Sequence, residues 1–120
     1  SNVYFYLGIA SRINSRFKEA VKYLRKAVAL KPDSVQVQFY FGLSLIDAEL
    51  YDDASSAFRE VIRIKPDFAD GHMMLGNLYR ENIPEPDKAV YHLKRAEKLF
   101  TKLEDFQRVG YIRQLLARYP

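Results

Sequence analysis

Four glycines stand 34 residues apart, at Gly8, Gly42, Gly76 and Gly110. Each follows a bulky apolar residue: Leu7, Phe41, Leu75 and Val109. Tyr4, Gln38, His72 and Phe106 precede them in the same frame. Ala20 and Ala54 follow the first two glycines at one spacing, and Ala89 fills that place in the third unit, one residue late. Leu24, Phe58 and Leu93 come next, then Ala27, Val61 and Ala96. Pro32 and Pro66 close the first two units. A period of this length restricts the chain to stacked copies of one supersecondary unit.

The residue types say what that unit is. Small side chains (Gly8 and Ala20 in the first copy) let two helices approach closely. Large ones such as Leu7, Phe17 and Leu24 are expected to fill the space beside them. One helix pair cannot bury its apolar face alone, so the pairs stack. Lys31-Pro32-Asp33-Ser34 and Lys65-Pro66-Asp67 each end a helix, because Pro lacks a backbone donor and disfavours helix before it. Asp33, Ser34 and Asp67 are then candidate caps, as are Asp52 and Asp87 for second helices. The spacing predicts helices near residues 2–14, 18–31, 35–49, 52–65, 69–82, 87–100 and 103–118.

This pattern resembles the tetratricopeptide repeat, with an aromatic, Leu-Gly, a Tyr, then Ala, an aromatic, Ala and a closing Pro. The resemblance covers essentially the whole chain. Gln38 and His72 depart from it at the leading aromatic, and Ser11 and Leu45 at the later Tyr, which Tyr79 keeps. The third unit has an extra turn residue within Asn82-Ile83-Pro84-Glu85-Pro86 and no closing Pro. The resemblance implies an all-α, right-handed α-solenoid of antiparallel helix pairs. It would form one domain, 1–120, with units 1–34, 35–68 and 69–102 and a C-terminal helix, 103–119. In that last helix Phe106, Val109, Ile112, Leu115 and Leu116 form an apolar stripe. It reads as a cap or as a fourth unit cut short, the cap being preferred. Ser1-Asn2 reads as a vector-derived start, under which an upstream segment has been removed.

In this family the first helix of each pair lines the concave side, which usually holds the ligand. The matching positions here are Phe5, Ile9 and Arg12, then Phe39, Leu43 and Asp47, then Met73, Asn77 and Arg80. Their apolar members occupy positions that the core, served by Tyr4, Leu7 and Gly8, is not expected to need. A bare apolar stripe implies a partner. The expectation is an apolar or amphipathic peptide or helix, oriented by Arg12, Asp47 and Arg80; filling by the same chain or a second copy, and plain core, are the alternatives. Some relatives grip a chaperone's C-terminal carboxylate with Lys, Asn and Arg. Phe5, Ile9, Tyr40, Asp70 and Met74 stand at those places and supply no charge-assisted hydrogen bond to a carboxylate.

Other chemistry is thin. The net charge is +4, but its distribution is uneven. Residues 1–34 carry seven Lys/Arg against two acids, 35–80 four against seven, and 81–120 eight against six. That is no continuous basic stripe, so nucleic acid is not an expected partner. There is no Cys, hence no disulfide framework or thiol nucleophile. No apolar run reaches the roughly 20 residues of a membrane span. His72 and His92 are read as separate helix-packing residues without a metal partner, and Asp52-Asp53 as a helix start. Lys18, Lys22, Arg25 and Lys26 make a basic outer face, read as solvated. The exposed first helix is apolar nearly all round. No catalytic or metal constellation and no cofactor are expected. The expected role is a protein–protein interaction module, an adaptor or scaffold; the alternatives are a homodimerising unit or a regulatory appendage of a larger protein.

Overall fold

The computed structural model describes residues 2–119. These form α1 (Val3–Ile13), α2 (Phe17–Leu30), α3 (Val35–Asp47), α4 (Tyr51–Ile64), α5 (Ala69–Glu81), α6 (Pro86–Lys102) and α7 (Phe106–Leu116), with no strand among the described residues. The fold is an all-α helical repeat. Two compact units result, Ser1–Ile64 with α1 to α4 and Lys65–Pro120 with α5 to α7.

In the first unit the hairpins α1–α2 and α3–α4 close on the periodic small residues. A Cβ on Gly8 would lie 2.5 Å from Leu24 Cγ, and one on Gly42 2.7 Å from Phe58 Cζ. Both distances are below van der Waals contact, so only glycine fits without displacement. Leu24, Leu45, Ala54, Phe58 and Val61 are fully buried. Leu7 and Phe17 do not join them; both are exposed, Leu7 at 41%. The equivalent Phe41 packs against the preceding hairpin, with the Arg25 guanidinium 5.3 Å above its ring. Leu7 is the equivalent residue of α1.

The hairpin turns repeat as well. α1 and α3 end in Schellman motifs. Arg16 N donates to Ser11 O and Leu50 N to Leu45 O, both at 2.8 Å. The left-handed residues are Ser15 and Glu49, at φ 60° and 62°. Ser34 caps α3, its hydroxyl accepting from Val37 N at 3.2 Å. Asp52 is not a cap, because α4 starts at Tyr51 and places Asp52 and Asp53 in its first turn.

In the second unit Gly76 repeats the crossing, with a Cβ there 2.7 Å from Leu93 Cδ2. The longer turn is tied by Ile83 N to Leu78 O and Glu85 N to Tyr79 O, at 2.8 and 3.0 Å. Asp67 and Asp87 do not cap; Phe68 and Glu85 hold those places without a side-chain cap bond. α6 runs to Lys102 and ends in a third Schellman motif, with Glu104 at φ 58° and Asp105 N donating to Phe100 O. That motif takes up residues 103–105, so α7 begins at Phe106 rather than 103, capped by Asp105. Val109, Ile112 and Leu115 join Ala69, Leu93, Ala96, Leu99 and Phe100 in one core. Phe106 leaves the expected stripe and is 64% exposed. Gly110 keeps the period, but a Cβ there would meet nothing within 4 Å.

Candidate partner-binding site

The first helices α1 and α3 carry the candidate residues of the first unit. Phe5 corrects the expectation that the core does not need it. It is 7% exposed, packs with Leu24, Ala27 and Val37, and meets Tyr40 edge-on at a centroid distance of 5.6 Å. The cause is the placement of α3 beside α1, which brings Tyr40 against the Phe5 ring. Phe39 is half-buried, its ring edge-on to that of Phe58 at 5.5 Å. Ile9 and Leu43 are half-buried. Arg12 Nε donates to Asp47 Oδ2 at 2.6 Å, side chains 32% and 23% exposed. Each of these charges therefore meets the other inside the unit.

In the second unit Met73 is half-buried against the α5–α6–α7 core. With Asp105, Gln107, Arg108 and Tyr111 it lines a depression of about 560 Å³. Arg108 Nη1 lies 3.3 Å from Asp70 Oδ1 and 3.5 Å from Asp105 Oδ2, its guanidinium 5.2 Å above the Phe100 ring. One turn further along α5, Asn77 Oδ1 and Arg80 Nε are both buried without a hydrogen-bond partner. Arg80 Nη2 pairs with Glu81, and its side chain is only 14% exposed. Leaving a buried polar atom unpaired costs about 1–3 kcal/mol. These two atoms, three residues apart on one face, are a feature that the residue pattern did not announce.

The histidines also correct the expectation. His72 Nδ1 lies 3.1 Å from His92 Nδ1, so they form a pair between α5 and α6. The other His72 nitrogen, Nε2, lies 2.9 Å from the Pro66 carbonyl oxygen. Among the described residues no three His, Cys, Asp or Glu side chains are placed to hold a metal ion, and no helix is long and apolar enough to cross a membrane. On the outer face Lys18, Lys22, Arg25 and Lys26 are exposed, with the Lys26 amine 5.2 Å above the Tyr4 ring.

The chain is similar to known proteins in sequence and in fold. The protein O-mannosyl-transferase Tmtc3 of Drosophila melanogaster is 32% identical over 87 residues, 72% of this chain and 9% of the fly protein. The chain thus spans less than a tenth of that relative. The Yersinia enterocolitica type III secretion translocator chaperone SycD superposes with a TM-score of 0.89 at 13% identity, covering 98% of this chain and 81% of that one. The TPR2B domain of yeast Sti1, solved as a complex with pHsp70, gives 0.85 at 16% identity, covering 95% and 90%. The tetratricopeptide repeat family model matches residues 12–78. With three glycine crossings built alike and a family match across more than half its length, the chain belongs to the tetratricopeptide repeat family.

Proposed function

We propose that this chain is a non-catalytic protein-interaction module that takes an apolar or amphipathic peptide or helix against the first-helix faces of its units. Units 1–34, 35–68 and 69–102 and the closing segment 103–119 are read as one module. Ile9, Phe39 and Leu43 offer apolar surface in the first unit, flanked by the Arg12–Asp47 pair and supported from the core by Phe5. Met73 does so in the second, with the polar groups of Asn77 and Arg80 beside it. The observation that carries the reading is the unpartnered pair Asn77 Oδ1 and Arg80 Nε beside Met73. One is an acceptor and the other a donor, which suits the N–H and C=O of an incoming backbone once either side chain changes rotamer.

The yeast domain named with pHsp70 supports peptide binding as a use of this fold. Its ligand does not carry over, since Phe5, Ile9, Tyr40, Asp70 and Met74 offer no carboxylate clamp and Asp70 already faces Arg108. The transferase name of the fly relative describes a far longer protein and carries no catalytic role here.

The test is selection of a displayed peptide library on the full chain, followed by affinity measurement on Leu43→Asp and Met73→Asp with helicity checked by circular dichroism. The reading predicts enriched apolar or amphipathic peptides whose affinity falls at least tenfold in folded variants. Peptides that bind the variants equally would contradict it. A second reading, self-association, is favoured by Val3, Tyr6 and Ile13, all exposed on α1. Sedimentation at several concentrations separates the two.

A further inference from the structure

The repeat supplies internal controls for the histidine pair. His72 occupies the position of Tyr4 and Gln38, and His92 that of Tyr23 and Ala57. In the first unit Tyr4 stacks on Tyr23 at 6.5 Å, and Gln38 Nε2 donates to the Pro32 carbonyl at 3.0 Å. His72 combines both tasks. A carbonyl only accepts, so His72 Nε2 carries the hydrogen that meets Pro66 O. A neutral imidazole has one N–H, so His72 Nδ1 accepts and His92 Nδ1–H donates across the 3.1 Å gap.

We propose that the His72–His92 pair is an acid-sensitive latch between α5 and α6, which holds one added proton and must open to take a second. The first proton makes His92 an imidazolium that still donates to His72 Nδ1. The second would put hydrogens on both Nδ1 atoms, facing each other at hydrogen-bond distance. Among the groups that face the pair from α5 and α6 are Tyr79, stacked on His92 at 5.8 Å, Tyr91, edge-on at 5.0 Å, and Arg95. Lys88 lies 5.4 Å above the Tyr79 ring. From the preceding turn comes the Pro66 carbonyl. Burial pushes His72 below the ordinary imidazole value of 6.5; the Pro66 carbonyl opposes this, and Arg95 lowers it further.

The direction of the pH effect follows. The unfolded imidazoles protonate near pH 6.5, whereas His72 in the folded pair does so only at lower pH. Stability is therefore fully present above that value and is lost as pH falls from 6.5 towards the lowered folded value, by up to about tenfold in the folding constant per pH unit. Both histidines of the sequence lie in this unit, so Ser1–Ile64 has no such response. This inference does not depend on the partner-binding reading.

The experiment is urea denaturation of the full chain between pH 7.5 and 5.0, for wild type, His72→Gln and His92→Phe, with an NMR titration of the wild-type imidazoles. His72→Gln can keep the bond to Pro66 as Gln38 keeps that to Pro32. The wild-type midpoint should fall below pH 6.5, and both variants should lose most of that slope. One wild-type imidazole should titrate below 6.5. Variants that retain the full wild-type slope would overturn the proposal. So would two imidazoles that protonate near pH 6.5 with the folded spectrum unchanged, a result that decides the matter even where a variant does not fold.

Discussion

A Cβ placed on Gly42 would lie 2.7 to 2.9 Å from three atoms of the Phe58 ring. Gly8 meets Leu24 and Gly76 meets Leu93 in the same way, whereas Gly110 faces open space. Gly42→Ala should therefore lose about 1–3 kcal/mol to overpacking, only partly offset by the roughly 1 kcal/mol that alanine gains in a helix. Gly110→Ala should show that gain alone. Urea midpoints of the two variants check the opposite signs.

Ser15 and Glu49 sit in the left-handed region at equivalent turns. That conformation costs a side-chain-bearing residue about 1–2 kcal/mol. Glu49→Gly should raise stability by up to about 1 kcal/mol, and Glu49→Val should lower it. Thermal melts of the two variants are the measurement.

Arg12 and Asp47 tie α1 to α3 through a half-exposed pair. A double-mutant cycle with Arg12→Ala and Asp47→Ala should give a coupling of about 0.5–1 kcal/mol. It should shrink as salt rises from about 0.05 to about 0.5 M. A coupling indifferent to salt would assign the pair's effect to packing.

Asn77 separates stability from binding. Its Oδ1 is buried and unpaired, so Asn77→Ala removes an unsatisfied acceptor and should leave the urea midpoint unchanged or higher. The same substitution should weaken a selected peptide. Loss of stability without loss of affinity would make Asn77 a structural residue.

The 34-residue beat was sufficient to place the helix pairs, since Gly8, Gly42 and Gly76 report directly on where two helices touch. Cap positions were less legible. Asp52 and Asp87 favour a helix start, yet the first turn satisfies that preference as well as the cap does. Phe5 and Leu7 exchanged their expected places because burial on α1 depends on which face α3 covers, and a local pattern does not carry that. The histidine contact was hidden for the same reason. His72 and His92 are 20 residues apart, and only the α5–α6 crossing brings their rings together. For the proposed site, the residue types could be read from the repeat register, but the unpaired Asn77 and Arg80 atoms could not.

In the proposed binding mode the first helices, not the second, meet the partner. The direct measurement is an amide NMR titration of the full chain with a peptide from the library selection. Shifts should concentrate on α1, α3 and α5, with Leu43, Met73 and Asn77 among the largest. Shifts confined to α2, α4 and α6 would contradict it.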